Sequence, residues 1–305
     1  MMPERRRPNG AADETQVRVS TLRLRRSENR STYSTMKVNI NNKAVEYRIE
    51  GEADAPDQQV LLATAQDLTA GTDWAAQGYT VAEFLPAAEL QQLQRGLYQL
   101  VREFMRHAGL AVADDFDISQ YHHAVGDSKE LHLAVINQIK EISQTRLPLP
   151  ASVLEQRVSA LCGRPVQALN PWDNGRWFHL RIVRPNQPDN NPLHRDVWLP
   201  DYDDCVNIYA PLAGSTANSS LTLVPGSHWW PESRVVRTRG GAVYNGVAFT
   251  VPAVKESEEP LQIIRPNPAP HEVLVFSPYL LHGGAVNLNA DATRVSLEMR
   301  FWPAD

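Results

Sequence analysis

The sequence predicts a mainly β protein with flanking helices, because its middle part carries helical patterns and its last part carries short strands. Between residues 78 and 165, apolar residues recur at helical spacing. After residue 165 the pattern changes to short apolar runs separated by Pro, Gly and Asn. Several short strands at this density are typical of a sandwich or a jelly roll.

The strongest helical pattern begins after Pro86, where apolar residues lie three or four positions apart with Gln and Arg between them. These apolar residues are Leu90, Leu93, Leu97, Leu100, Val101 and Phe104. Such a stripe predicts an amphipathic helix with one buried side. Further helical stretches are predicted over 114–146 and over 154–161, where Gly163-Arg164-Pro165 ends the pattern.

Five strands are predicted in the last part of the chain. The first alternates apolar Phe178, Leu180 and Ile182 with polar His179 and Arg181, as a strand with one buried side does. The other four cover residues 206–212, 220–224, 272–276 and 294–301. The segment 252–270 contains five prolines and an acidic cluster, so we predict a long exposed loop there.

Residues 1–35 differ from the rest of the chain in charge. They carry eight arginines and four acidic residues, whereas residues 36–305 carry 22 basic and 31 acidic residues. The arginines have neither aromatic residues between them nor apolar periodicity, which predicts a basic, disordered leader before a single domain over 36–305. The acidic domain argues against nucleic-acid binding, which depends on clustered Lys and Arg.

Neither a membrane span nor a disulfide framework is expected from the sequence. No apolar run approaches the roughly 18 residues of a membrane helix, and no secretory signal is recognisable, which predicts a cytoplasmic protein. Cys162 and Cys205 lack the CxxC spacing of a zinc ribbon or a redox pair. We therefore expect two free thiols.

A metal site is indicated by His194 and Asp196, which lie two residues apart and on a strand point to the same side. His282 follows the apolar stretch 273–276 and supplies a third possible ligand. Two imidazoles and one carboxylate leave coordination positions open, as in non-haem iron(II) oxygenases. Zinc prefers a tetrahedral site. The His-x-Asp pair by itself is common and carries little information.

Arg294 and Ser296 strengthen this interpretation. They lie two residues apart on a predicted strand that begins twelve positions after His282. A guanidinium group is a rigid fork that matches a carboxylate, and a neighbouring hydroxyl adds one more hydrogen bond. The pair therefore fits the distal carboxylate of 2-oxoglutarate. For Arg294 alone, a surface salt bridge is the alternative.

These residues resemble the phytanoyl-CoA dioxygenase-like family of Fe(II)/2-oxoglutarate-dependent oxygenases. The resemblance covers about residues 78–302 and rests on His194-Arg195-Asp196, Val206-Asn207-Ile208-Tyr209-Ala210-Pro211-Leu212, Asn218-Ser219-Ser220-Leu221, Val224-Pro225-Gly226-Ser227-His228, and His282-Gly283 with Arg294. It implies a double-stranded β-helix, or cupin-like jelly roll, with a helix-rich part over 78–165 and a jelly-roll core over about 166–302.

The resemblance also implies roles for individual residues. His194, Asp196 and His282 are the implied iron ligands, and Arg294 is the implied 2-oxoglutarate ligand. Ser296 and Asn207 are further candidates for cosubstrate binding. The Asn207 amide fits a second role equally well, as a group that hydrogen-bonds inside the barrel.

Five residues are candidates for the substrate pocket, each with a structural alternative. His179 and Arg181 lie on the polar face of the predicted strand, which is either the pocket or the exterior. Trp198 and Tyr202 follow the His-x-Asp motif in a segment that either overhangs the metal or is a solvated loop. His228 ends a Pro-Gly turn, where its ring can instead bond backbone groups.

The implied reaction uses dioxygen and 2-oxoglutarate, releases succinate and CO2, and oxidises a small molecule. Hydroxylation is the default outcome, and desaturation, cyclisation and epimerisation are alternatives. Asp196 argues against halogenation, because related halogenases have a small residue in its place. The acidic domain offers no obvious surface for acyl-CoA phosphates, so we expect a small polar metabolite or natural-product intermediate.

Two other classes of protein use the same features. A metal-dependent hydrolase would also use two histidines and one carboxylate, but it has no need of Arg294. A non-catalytic cupin-like binding protein would be expected to have lost part of the triad. The pair His122-His123 has no partner pattern nearby in the sequence, and we expect ordinary surface histidines there.

Overall fold

A computed structural model of the chain describes residues 33–54, 57–284 and 286–304. Most of the leader predicted over 1–35 lies outside the described residues. Its last three residues belong to a strand that begins at Tyr33, so the boundary placed between residues 35 and 36 falls within this strand.

The described residues form four α-helices and fourteen strands. The helices are α1 (Ala87–His107), α2 (Tyr121–Val125), α3 (Lys129–Ile136) and α4 (Ala151–Cys162). The strands are β1 (Tyr33–Ile40), β2 (Lys43–Glu50), β3 (Tyr79–Glu83), β4 (Ile142–Ser143), β5 (Val166–Gln167), β6 (Trp177–Val183), β7 (Val206–Ala213), β8 (Val235–Arg237), β9 (Ala242–Tyr244), β10 (Val247–Phe249), β11 (Val254–Ser257), β12 (Leu261–Ile263), β13 (Glu272–Phe276) and β14 (Arg294–Pro303).

A large antiparallel sheet carries the strands in the order β3-β13-β7-β14-β6-β4, and β5 pairs with the end of β14. A second sheet has the order β10-β9-β2-β1-β12, and β8 pairs with β11 separately. In the large sheet, neighbouring strands are far apart in the sequence, as jelly-roll connections require. The second sheet combines the hairpins β1-β2 and β9-β10 with the long-range pairs β2-β9 and β1-β12. The predicted double-stranded β-helix with flanking helices is confirmed.

The position of the site follows from the alternation along β14. Its apolar residues pack in one cluster with the buried stripe of α1 and with α4; these residues are Val295, Leu297, Met299 and Phe301. The residues between them, Arg294, Ser296, Glu298 and Arg300, point to the opposite face, because successive side chains of a strand alternate. One face of the sheet is thus covered by helices, and the other is free to form a polar site.

Three sequence predictions about secondary structure need correction. The stretch 114–146 is not one helix, because it holds α2, α3 and the short strand β4. Residues 220–224 form no strand and contribute only isolated bridges at Leu223. The segment 252–270 is not a continuous exposed loop, since β11 and β12 lie within it and pair with β8 and β1. These pairings involve distant parts of the chain that local composition does not reveal.

The remaining predictions on general character concern membranes and thiols. Within the described residues, no helix is both long enough and apolar enough to cross a membrane. Cys162 and Cys205 are both buried and free, as expected. Burial raises the pKa of the Cys162 thiol to about 12, so it stays protonated at neutral pH.

Candidate metal centre

His194, Asp196 and His282 meet in the interior of the protein. His194 and His282 face each other in a short antiparallel bridge, in which each backbone N–H donates to the other's carbonyl at 3.0 and 2.9 Å. The Oδ1 atom of Asp196 lies 3.2 Å from His194 Nε2 and 3.5 Å from His282 Nε2. All three side chains are buried, and their ligand atoms lie within 4.8 Å of one another.

Gly283 permits this close approach of the two histidine segments. Its φ of +85° lies in the left-handed region that favours glycine. A Cβ at this position would lie 2.9 Å from the carbonyl oxygen of Pro192 and 3.4 Å from Nδ1 of His194. A larger residue would therefore push the two histidines apart.

Both imidazoles present Nε2 to the centre of the triad. His194 Nδ1 lies 2.8 Å from the Pro192 carbonyl, and His282 Nδ1 lies 3.0 Å from the Leu280 carbonyl. A carbonyl only accepts hydrogen bonds, so each Nδ1 carries the hydrogen and each Nε2 has a free lone pair. Burial, together with the neighbouring His282, lowers the pKa of His194 and keeps it neutral, as a metal ligand must be.

The carboxylate of Asp196 is held by two donors that leave one oxygen free. Its Oδ2 accepts hydrogen bonds from Arg300 Nη2 at 3.0 Å, from Arg300 Nε at 3.2 Å and from Asn207 Nδ2 at 3.1 Å. Burial alone would raise the pKa of Asp196, but chiefly the charge of Arg300 holds it well below its usual range. Oδ1 therefore remains an ionised ligand atom facing the two imidazoles.

Arg300 was not identified from the sequence, although a signal for it exists. It lies six residues after Arg294 on the same strand and therefore on the same face. Asn207, expected at the cosubstrate or as a bonded barrel amide, donates to Asp196 through Nδ2. Its Oδ1 has no hydrogen-bond partner among the described residues.

A buried ion pair between Arg195 and Glu232 holds the His-x-Asp segment in place. Arg195 is fully buried, and it donates to Glu232 Oε1 at 2.7 Å and to the Ser227 carbonyl at 2.8 Å. Trp198 Nε1 donates to the second oxygen of the same carboxylate, Glu232 Oε2, at 2.8 Å. The structure therefore does not support Trp198 as a pocket residue, because its partly buried side chain packs against the core beside the second sheet, and Trp198 is not among the described residues that line the cavities next to the triad.

A small cavity beside the triad is lined by atoms that lack partners. Four buried polar atoms on its wall make no hydrogen bond within the described structure: Asn190 Oδ1, Asn207 Oδ1, Ser220 Oγ and Arg294 Nε. Buried polar atoms in folded proteins are nearly always bonded, so this cavity fits a polar occupant. His194, Asp196 and His282 line the same cavity.

Arg294 is a buried cation for which the described chain provides no carboxylate within ion-pair distance. Its guanidinium lies 5.5 Å from the ring centre of Tyr209. A second buried arginine, Arg265, donates to the carbonyls of Ser220 and Val286 at 3.0 and 2.6 Å. Burial and the charge of Arg294 lower the pKa of Arg265 to about 10. Neither arginine forms an ion pair within the described part of the chain, and such buried cations fit an anionic ligand.

Ser296 does not join Arg294 in this cavity. It is completely buried, but its hydroxyl lies 3.5 Å from Glu298 Oε1, and it is not among the described residues that line the cavity. The register of β14 against β7 shifts between Val295 and Ser296, so the pairing with β7 is irregular at Ser296. The structure therefore does not support a direct cosubstrate contact for Ser296.

A larger cavity of about 930 Å³ extends from His194 and Asp196 toward the protein surface. Three predicted pocket residues line it: His179, Arg181 and Tyr202. The lining also includes residues 247–251 and apolar side chains of α3. Charged side chains of both signs contribute to the lining, and the volume is typical of a site for a small organic molecule.

The polar floor of this cavity is a connected network around Arg300. The Arg300 guanidinium lies 4.1 Å from the ring centre of Tyr202 and 3.4 Å from His179 Nε2. Burial and the charge of Arg300 lower the pKa of His179 to about 3, so this ring is neutral. Arg181 donates to Glu298 Oε2 at 3.4 Å.

His228 has a structural position away from both cavities. Its Nε2 donates to the Ala75 carbonyl at 2.9 Å. Its ring packs against Gly78, where a Cβ would come within 2.7 Å of the imidazole. The structure therefore does not support contact of His228 with substrate and favours the structural alternative, in which its ring joins the Pro-Gly turn to the segment before β3.

A family model described as phytanoyl-CoA dioxygenase (PhyH) matches residues 74–296, which is most of the chain. The chain belongs to the phytanoyl-CoA dioxygenase family. Membership confirms the predicted class, a non-haem iron, 2-oxoglutarate-dependent dioxygenase. Iron is its cofactor and 2-oxoglutarate its cosubstrate. The donor set of two imidazoles and one ionised carboxylate fits such an iron ion.

Solved structures of similar proteins are remote from this chain. EctD from S. alaskensis, crystallised with 2-oxoglutarate and 5-hydroxyectoine, is 14% identical, with 84% of this chain and 83% of that chain covered and a TM-score of 0.42. AviO1 from Streptomyces viridochromogenes is 19% identical, with 78% and 96% covered and a TM-score of 0.42. The non-haem α-ketoglutarate-dependent epimerase SnoN from nogalamycin biosynthesis is 13% identical, with 76% and 78% covered and a TM-score of 0.42. No curated protein matches the sequence.

Proposed function

We propose that this dioxygenase hydroxylates a C–H bond of a small polar metabolite or natural-product intermediate, and that it releases succinate and CO2. In this proposal His194, Asp196 and His282 bind iron(II), and Arg294 binds the distal carboxylate of 2-oxoglutarate. The substrate occupies the cavity of about 930 Å³ next to the triad.

The observation that carries the residue assignment is the small cavity with four unpartnered polar atoms beside the triad. A carboxylate there would accept hydrogen bonds from Arg294 Nε and from the hydroxyl of Ser220. A metal-dependent hydrolase requires a water molecule at its metal but no adjacent pocket for a dicarboxylate. The proposed oxygenase reaction accounts for both features.

The residues of the chain have separate tasks in this proposal. When bound, the iron activates dioxygen together with 2-oxoglutarate for removal of a substrate hydrogen. The Pro192 and Leu280 carbonyls orient the two imidazoles, and Arg300 with Asn207 fixes Asp196. Burial of the three ligands keeps bulk water from the reacting groups.

The lining of the large cavity supports a polar substrate. Lys140, Glu141, Arg181 and Glu298 contribute charges of both signs, while residues 247–251 supply an apolar wall. Such a lining fits a molecule with several hydrogen-bonding groups better than a long acyl chain, because charged walls left without polar partners cost free energy. The acidic charge of the domain also disfavours the phosphates of an acyl-CoA.

The first experiment is an anaerobic titration of the full chain with iron(II) and 2-oxoglutarate, monitored by visible absorption. We expect a weak charge-transfer band in the wild type. In Arg294→Ala, the affinity for 2-oxoglutarate should fall about ten- to hundredfold while iron still binds, since hydrogen bonds to charged groups contribute about 1.5–3 kcal/mol. Arg239→Ala is the matched control, because Arg239 is an exposed arginine that is not among the residues lining either cavity, and it should retain the wild-type affinity for 2-oxoglutarate.

Two outcomes would contradict the proposal. If the wild type shows no band and holds zinc instead of iron, the iron centre is wrong. If Arg294→Ala loses iron but keeps its affinity for 2-oxoglutarate, the assignment of Arg294 is wrong. Succinate release measured across a panel of polar metabolites would then identify the substrate, and mass analysis of the product would separate hydroxylation from desaturation, cyclisation or epimerisation.

A further inference from the structure

A second group of two histidines and one aspartate lies at the edge of the large cavity. His122 and His123 belong to α2, and Asp291 lies in the connection between β13 and β14. The Oδ1 atom of Asp291 lies 2.9 Å from His122 Nε2 and 2.6 Å from His123 Nε2. We call these three residues the rim cluster, because both histidines line the cavity that reaches His194 and Asp196.

The rim cluster is built on a fixed backbone. Thr293 Oγ1 lies 2.9 Å from His122 Nδ1 and also accepts the backbone N–H of His122 at 3.3 Å. The Thr293 N–H donates to the Ser119 carbonyl at 2.7 Å, and Gln120 Nε2 donates to the Asp291 carbonyl at 3.1 Å. These hydrogen bonds hold Asp291 and Thr293 against the residues at the start of α2.

Further bonds keep the segment with Asp291 in place. The side-chain amides of Asn287 and Asn289 donate to the Ala292 carbonyl at 2.8 and 3.1 Å. Asn287 also donates to the Val183 carbonyl at the end of β6 at 2.9 Å. The position of the carboxylate thus follows from the core of the fold, even though its side chain is 63% exposed.

The chemistry of the donors matches a divalent transition-metal ion. Imidazole nitrogen and carboxylate oxygen are ligands for zinc at about 2.0–2.2 Å, so two such donors on one ion lie roughly 3.0–3.5 Å apart. The separations in the rim cluster are slightly shorter, and the exposed side chains of His123 and Asp291 can open by this amount. Exposure leaves the remaining coordination positions to water.

We propose that the rim cluster binds a divalent transition-metal ion such as zinc, separately from the iron centre. His122, His123 and Asp291 supply one ligand atom each. The bound ion would place positive charge at the edge of the substrate cavity. This proposal does not depend on the residue assignments of the proposed function, since none of its ligands belongs to the triad.

The test uses the full chain, loaded anaerobically with iron(II) and 2-oxoglutarate so that the triad is occupied. Zinc is then titrated against a chromophoric chelator, and the iron content is measured before and after. We expect one additional equivalent of zinc without loss of iron. His123→Ala and Asp291→Asn should each lower the affinity for this zinc by about tenfold or more, since even replacing a group that merely supports a metal ligand costs about 10–100-fold.

His107→Ala is the matched control, because His107 is an exposed histidine at the end of α1, outside the rim cluster. It should leave zinc binding unchanged. A crystal soaked in zinc should show anomalous scattering beside Asp291 Oδ1. The proposal is wrong if the iron-loaded wild type takes up no further zinc, or if both rim variants bind zinc as tightly as the wild type.

Discussion

The protein contains two groups of the same composition, two histidines and one aspartate, in opposite surroundings. The side chains of His194, Asp196 and His282 are 4%, 4% and 7% exposed. In the rim cluster, the corresponding values are 17% for His122, 61% for His123 and 63% for Asp291. The comparison shows that burial, and not residue type alone, determines how many supporting hydrogen bonds and opposite charges such a group needs from the rest of the fold.

The buried triad needs compensation that the rim cluster does not. A buried carboxylate loses its hydration, and here Arg300 and Asn207 replace the lost water. The carboxylate of Asp291 remains in contact with solvent and needs only its two histidines. We therefore expect changes around the triad to cost much more than equivalent changes at the rim.

The largest expected difference concerns catalysis. His282→Ala should lower iron affinity and turnover by at least about a hundredfold, because removal of a ligand exceeds the 10–100-fold cost of losing a group that supports one. His123→Ala should keep iron and most of the turnover. Iron content and succinate release of the two variants, measured side by side, test this prediction.

A similar loss of turnover in both variants would show that the rim cluster takes part in the reaction. Equal iron content in both variants and in the wild type would show that His282 is not an iron ligand.

The next prediction concerns the free energy of unfolding of the iron-free chain. Arg300→Met leaves the buried Asp196 carboxylate without its cation, and breaking a buried ion pair in this way costs about 3–5 kcal/mol. Arg239→Met removes an exposed pair with Glu52 and should cost less than about 1 kcal/mol. Urea unfolding of both variants at neutral pH gives the two values.

Iron(II) provides a further test of the role of Arg300, because a bound cation would also balance the negative charge of Asp196. The loss of stability in Arg300→Met should shrink when iron(II) is added without oxygen. Equal losses with and without iron would indicate that Arg300 acts through its contact with Tyr202 and not through the carboxylate.

A smaller effect is expected in the pH dependence of stability near the triad. The pKa of buried His179 is lowered to about 3, so below about pH 6.5 the unfolded chain binds a proton that the folded chain does not. Stability therefore falls with decreasing pH, by up to about 1.4 kcal/mol per pH unit from this residue. His179→Gln should flatten the curve between pH 6.5 and 4, whereas His107→Gln should not.

Urea unfolding at several pH values measures both slopes. A His179→Gln variant with the slope of the wild type would show that this histidine is protonated in the folded protein.

The smallest expected effect is on folding stability at the rim. Asp291→Asn removes the charge from an exposed group whose partners remain solvated, so its free energy of unfolding should stay within about 1 kcal/mol of the wild type. Thermal unfolding without added metal tests this. A larger loss would mean that Asp291 stabilises the connection between β13 and β14, in addition to any role as a ligand.

The sequence by itself determined the elements whose signals are local. The apolar stripe over residues 90–104 predicted α1, since helical spacing is visible within a few turns. The alternation of Phe178 to Ile182 predicted β6, and short apolar runs predicted β7, β13 and β14. The residues proposed as ligands were found because His-x-Asp, a later histidine and Arg294 occur in a recognisable order.

Only the tertiary structure decided which distant residues support or extend these motifs. Arg300 reaches Asp196 from 104 positions away, and Asp291 meets His123 from 168 positions away. The hydrogen bonds of Trp198 with Glu232 and of His228 with the Ala75 carbonyl could not be predicted either, since these partners are also remote in sequence. Periodicity reports how one segment places its side chains, whereas contacts between segments depend on strand order and register, which are set by the packing of the whole fold.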